Sequence, residues 1–234
     1  MELMFKVMAL LPWLDWAAVA VFFVGWSTYA HYSRHGAGSQ RSVLAATNAV
    51  RRLWMLQTTY REVRVIDGIV IQNLSTSPSF FASTTILIIG GLLAVLAGDK
   101  ANELVRDLPF AQRTSVLIFD LKVILLLGIF VYAFFRFTWS LRQYTFGALL
   151  VAAAPEAERF IAENLSREAF ADKAGRIVGL AAETFNDGLR GYYFAFAAIG
   201  WFFSPLIFMG ATLGVIYILH QREYRSEVLG VLTS

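Results

Sequence analysis

Residues Phe80 to Gly98 read FFASTTILIIGGLLAVLAG, a stretch without one charged side chain. At about 1.5 Å of helical rise per residue it crosses most of the roughly 30 Å of a bilayer's hydrocarbon. A membrane strand would need only about 9 to 11 residues and would alternate polar with apolar, so length selects the helix. Three further runs share this character: Met8 to Tyr32, Val116 to Phe137 and Tyr192 to Leu219. The expected fold is therefore all-α, one polytopic membrane domain over residues 1–234. It has four transmembrane helices, with cytoplasmic amphipathic helical segments over about 42–76 and 155–188.

Composition agrees. Of 234 residues 57% are apolar and 16% charged, with mean hydropathy +0.57, whereas soluble domains carry about 25% charged residues. A disordered chain is excluded and an ordinary soluble enzyme disfavoured. The net charge of +3 is small and its basic residues are dispersed, which sets nucleic acid aside. With no cysteine there is no disulfide, thiolate metal site or cysteine nucleophile.

Cytoplasmic loops retain Lys and Arg. The connections after the first and third spans hold 13 of them, while the two tails and the middle loop hold 6: Lys6, Lys100, Arg106, Arg113, Arg222 and Arg225. Both termini are thus expected on the periplasmic side of a bacterial inner membrane. Trp13, Trp16, Tyr29, Tyr32, Trp139, Tyr144, Tyr192 and Tyr193 fall near span ends, where amphipathic rings favour headgroup depth. The first span holds Asp15 and lacks a small-residue cleavage site, so it reads as a retained anchor. Arg34 to Ser42, rich in Gly and Ser, is the nearest thing to a linker.

Within 42–76, Leu53, Leu56, Tyr60, Val63, Val70 and Leu74 recur at mostly three- and four-residue steps, with Arg51, Arg52, Arg61, Glu62 and Asp67 off the stripe. Pro78 should stop or kink this helix before the second span. The second segment opens with Pro155, suited to a first helical position, and Gly175 and Gly179 interrupt its helical propensity. Two arrangements compete: a soluble helical layer, or helices flat on the bilayer, where the arginines of the first segment would meet membrane lipids, anionic ones among them.

Charges at membrane depth are costly and mark candidate sites: Asp15, Asp120 and Lys122. Asp15 and Lys122 lie at equal expected depth, about 9 to 10 Å from the outer ends of their spans, so they can pair. Such a pair either fixes helix register or lines an ion path. His31 and His35 are one turn apart, but with His220 placed across the membrane two ligands make no metal site; no metal or cofactor is expected. No serine triad or phosphate-cradling loop is present. Gly90, Ala94 and Gly98, and Gly210 with Gly214, repeat at four-residue intervals suited to close helix packing within or between subunits. Pro205 should kink the fourth span, with Ser204 satisfying a freed carbonyl.

Three motifs in order carry a family resemblance: Arg51-Arg52-Leu53-Trp54-Met55, Ser77-Pro78-Ser79-Phe80-Phe81-Ala82-Ser83-Thr84, and the run from Glu183 to Ala195 containing Asn186-Asp187-Gly188 and Arg190-Gly191-Tyr192-Tyr193. The chain resembles bacterial and plant membrane proteins grouped as a domain of unknown function. The resemblance implies a four-span fold and brings no activity, cofactor or catalytic residue. It directs attention to the inner membrane edge, where Arg51, Arg52, Asn73, Ser79, Ser83, Asn186, Asp187 and Arg190 would converge. Asp187 or Asn186 would cap the fourth helix there. Alternatively the group forms a polar vestibule leading to Phe80 and Phe81 as a hydrophobic gate. The expected protein is not an enzyme. It is a homo-oligomer passing ions or small solutes, or alternatively a non-transporting accessory subunit that binds a membrane complex or anionic lipid.

Overall fold

The computed structural model describes residues 11–35, 42–98 and 116–233, and no strand occurs among them. The helices are α1 (Trp13–His35), α2 (Val43–Thr58), α3 (Val65–Ala97), α4 (Val116–Ala152), α5 (Ala157–Ala162), α6 (Arg167–Ile199), a 3-10 turn at Gly200–Phe202, α7 (Pro205–Tyr224) and α8 (Glu227–Thr233). Met8 to Leu10 of the expected first span, most of the Arg34 to Ser42 linker including Arg41, the side chain of His35, and Lys6, Lys100, Arg106 and Arg113 lie outside the described residues. By length and composition, α3 and α4 are long and apolar enough to cross a membrane.

The chain divides into two units, one of residues 1–38, 85–132 and 190–222, the other of residues 39–84, 133–189 and 223–234. The first is a bundle around Phe22, whose ring meets Phe194 and Phe208 at centroid distances of 5.6 and 5.1 Å. Here the expected fourth span is corrected. The chain turns back at Phe203–Ser204, because Pro205 has no N–H to continue the preceding helix, while Ser204 Oγ accepts from the Ile207 amide at 3.1 Å and starts a new one. Trp201 stacks on Phe208 at 5.4 Å, and Arg222 lies over the Tyr193 ring at 5.6 Å. Residues 190–202 and 205–222 are therefore an antiparallel hairpin, not one kinked rod. Phe22 opposite Phe208 and Tyr32 opposite His220 show α7 running parallel to α1. Trp13 and Arg222 consequently mark opposite ends of this unit, and His220 shares an end with Tyr32, contrary to its expected placement.

The second unit packs α2 antiparallel to α6 through Gly175 and Gly179. A Cβ at Gly175 would sit 2.9 Å from the Arg52 Cα, and one at Gly179 2.9 Å from Asn48 Oδ1. The glycines that weaken helical propensity are thus the ones that let two backbones approach. Its core is Met55, Ile71, Tyr144, Val151, Ala174 and Val178, and α8 rests on α2. The expected small-residue faces behave otherwise: a Cβ at Gly90, Gly210 or Gly214 would meet nothing within 4 Å, Ala94 is exposed, and one at Gly98 would meet only its own helix at Ala94 O.

Three element boundaries differ from expectation. The first amphipathic segment breaks at residues 59–64, where Thr58 and Thr59 hydroxyls donate to the carbonyls of Trp54 and Leu56, and Arg64 Nε donates to Thr58 O. Pro78 neither stops nor precedes a helix. It lies buried inside α3, whose flanking Ile71 and Ala82 are also buried and offset the roughly 3 kcal/mol that an interior proline costs. The second segment opens at Ala157 rather than Pro155 and ends on Asn164, at φ 52°, with Leu165 N donating to Phe160 O at 3.0 Å, before α6 begins. The expected apolar stripe is met in part: Leu56 and Leu74 pack on the core, whereas Leu53, Tyr60 and Val63 are exposed and Asp67 is buried.

Candidate functional site

In the second unit a pocket of about 320 Å³ is lined by Thr47, Arg51, Asn73, Ser77, Tyr144 and Asn186, with Glu223 at its edge. α2, α3, α4 and α6 each supply part of it. Arg51 Nη1 donates to Thr47 Oγ1 at 3.0 Å and to Asn48 Oδ1 at 2.7 Å. Both acceptors are neutral, and no carboxylate among the described residues forms an ion pair with Arg51. Burial accordingly lowers its pKa from the ordinary guanidinium range, opposed by Tyr144 and Glu183. Glu183 itself bonds Asn48 Nδ2 at 3.2 Å and Arg176 Nη1 at 2.9 Å. Glu223 Oε1 accepts the Leu44 amide at 3.1 Å and serves the start of α2, which Ser42 caps through Ala45 N. The pocket thus holds a part-buried cation whose hydrogen bonds go to neutral oxygens, with Glu183 acting on it only through space and Glu223 also lining the pocket.

Arg51, Asn73 and Asn186 come together as expected of the vestibule; the remaining residues do not join them. Arg52 is exposed and paired with Asp172, a hydrogen bond that raises the pKa of the guanidinium and lowers that of the carboxylate. Ser79 and Ser83 are exposed, and Phe80 faces outward at 64% exposure. Phe81 packs on Phe137 and Phe185 at 5.4 and 5.8 Å, so its ring is a core element rather than a gate. Asn186 and Asp187 sit inside α6, far from any helix start, and cap nothing; Asp187 is ion-paired with Arg136. Arg190 belongs to the first unit, where Nη1 donates to Ser33 Oγ at 2.9 Å and the guanidinium lies 5.5 Å over Tyr29.

A second constellation lies in the first unit. Trp201 Nε1 donates to Asp15 Oδ1 at 2.6 Å, and Lys122 Nζ donates to the Trp201 carbonyl at 2.8 Å, with all three side chains buried. Asp15 and Lys122 occur at one level, joined through the tryptophan between them. The indole was not singled out in the sequence; the Ser204-Pro205 step just beyond it was the available signal of a turn. Likewise Glu223 carries no sequence signal of its own, because its place at the pocket depends on that turn.

A third polar cluster, unforeseen, surrounds fully buried Asp67. Its Oδ1 accepts from Trp54 Nε1 at 2.7 Å, from Thr58 Oγ1 at 3.2 Å and from Arg61. Arg64 Nη1 donates to Ala154 O at 2.8 Å, and Arg167 bridges Thr59 O and Ala157 O, the latter at 2.7 Å, tying residues 59–64 to the start of α5. These bonds fasten a corner of the fold. No group of three or more His, Asp or Glu able to hold a metal occurs among the described residues.

Residues 17–228 match the family described as "Protein of unknown function, DUF599". No curated protein and no solved structure matches the chain.

Proposed function

The chain belongs to the DUF599 family of proteins of unknown function, and from that premise we propose that it is a multi-pass membrane protein passing a small anionic solute without converting it. The membrane placement is supported by the polarity of the first unit. Leu87, Val24, Phe196 and Leu213 point outward, whereas Asp15, Lys122, Thr85 and Thr212 are inside, the reverse of a protein solvated by water. Five helical segments then cross, one more than expected, and the termini fall on opposite sides. The sequence segments of the second unit hold 12 of the 20 Lys and Arg, which supports a cytoplasmic second unit in an inner membrane. The outward Gly90, Ala94 and Gly210 suit contacts between copies in a homo-oligomer.

The observation that carries the solute class is Arg51. A part-buried guanidinium bonded only to neutral oxygens, facing a pocket with amide and hydroxyl groups, is answered by a carboxylate or phosphate oxygen. Purified protein in liposomes should release trapped small anions faster than empty vesicles, and Arg51→Gln should slow release by about tenfold, the scale of one charge-assisted hydrogen bond. Equal release by folded wild type, Arg51→Gln and empty vesicles, at every pH and voltage, would remove this reading.

A non-transporting accessory role is the second reading. It is favoured by a run of exposed apolar residues in the second unit, Tyr60, Val63, Val65, Ile66 and Ile69, a surface suited to a membrane complex or to the headgroup region of anionic lipid.

A further inference from the structure

In the first unit α1, α4 and the 3-10 turn line an open pocket of about 590 Å³, with Trp16, Val19, Leu121, Ile124 and Trp201 in its wall and Asp120 as the one charged residue among the described lining. Asp120 Oδ1 is buried and accepts no hydrogen bond. The two other buried charges of this unit engage Trp201 instead, Asp15 accepting from its indole and Lys122 donating to its carbonyl. A buried acceptor left without a donor costs about 1 to 3 kcal/mol, and a native structure keeps such a group where something else completes it.

The geometry points to a binding site for an amphiphilic primary ammonium: an aliphatic body in the pocket, with an N–H of the cationic head donated to Asp120 Oδ1. Three observations converge on that chemistry. The walls are aliphatic and aromatic, which fits an apolar chain and excludes a hydrated inorganic ion. The available polar atom is an acceptor, so the ligand must bring a donor. Asp120 is the one charged group lining the pocket among the described residues, so a monocation complements it while an anion is repelled. Volume alone would admit a fatty alcohol or fatty acid; the charge count favours the ammonium. The site stands on this unit's own geometry and is independent of the Arg51 pocket.

The test is saturable quenching of tryptophan fluorescence by 12-bromododecylammonium, with 12-bromododecanol as the uncharged control, on protein held in phosphatidylcholine nanodiscs. Wild type should bind the ammonium at least tenfold more tightly than the alcohol. Asp120→Asn should erase that difference, and Ile124→Trp, which fills the pocket from its exposed side and leaves the carboxylate, should abolish saturable binding of both. Adding phosphatidylethanolamine separates two sources of the same headgroup: competition identifies a membrane lipid as the occupant, and unchanged affinity identifies a free lipophilic amine. Equal affinity for ammonium and alcohol in wild type, or an unchanged preference in Asp120→Asn, overturns the proposal. Failure of anion flux would leave this result standing, and the reverse also holds.

Discussion

Trp201 is the residue on which two buried charges depend. Its indole N–H donates to Asp15 Oδ1, and its carbonyl receives Lys122. Trp201→Phe keeps the stack on Phe208 and removes only the donor, so it should destabilise by about 1 to 3 kcal/mol, the cost of orphaning a buried acceptor. Asp15→Asn should lose less, because its amide still accepts from the indole. Thermal midpoints of the two single variants and the double variant check this: if the effects simply add, the indole and carboxylate do not interact. At this scale sequence reading succeeded where cost alone is informative. Asp15 and Lys122 stood out because ionised groups rarely occur in apolar runs. It failed where a charge looked ordinary, as with Asp67, whose burial depends on Trp54, Thr58 and Arg61 arriving from the other side of a chain break that composition does not announce.

At the level of elements, close approach distinguishes two classes of glycine. Gly175→Ala drives a methyl toward the backbone of α2 and should cost about 1 to 3 kcal/mol, as overpacking does, whereas Gly90→Ala meets open space and should gain up to about 1 kcal/mol of helix propensity. Denaturation midpoints of the two variants separate the cases; a loss at Gly90 equal to that at Gly175 would show that a neighbouring chain already occupies that face. The apolar runs of α3 and α4 were legible because length and composition are local properties. The hairpin was not. Ser-Pro inside an apolar stretch reads equally as a kink or as a cap followed by a first helical residue, and only the stacking of Trp201 on Phe208 decides between them.

For the whole molecule, the proposed number of crossings decides parity. Four crossings would return the chain to its starting side; five would not. The absence of cysteine makes the difference easy to read: in intact cells a membrane-impermeant maleimide should label Trp13→Cys, and should label Ser226→Cys only after permeabilisation. Labelling of both from outside would restore the even count and reverse the assignment of the C-terminal segment. The convergence of Arg51, Asn73 and Asn186 was readable because all three lie near one edge of the apolar runs, whereas Glu223 joins them only through the turn at Ser204-Pro205.

The bond from the Leu44 amide to Glu223, and the seat of α8 on α2, have a consequence for biogenesis. Helix α2 leaves the ribosome well before its companion, which follows 179 residues later. Until then the nascent chain must keep that early helix waiting, so truncation just before Glu223 should yield a product that inserts normally but is cleared by cellular quality control.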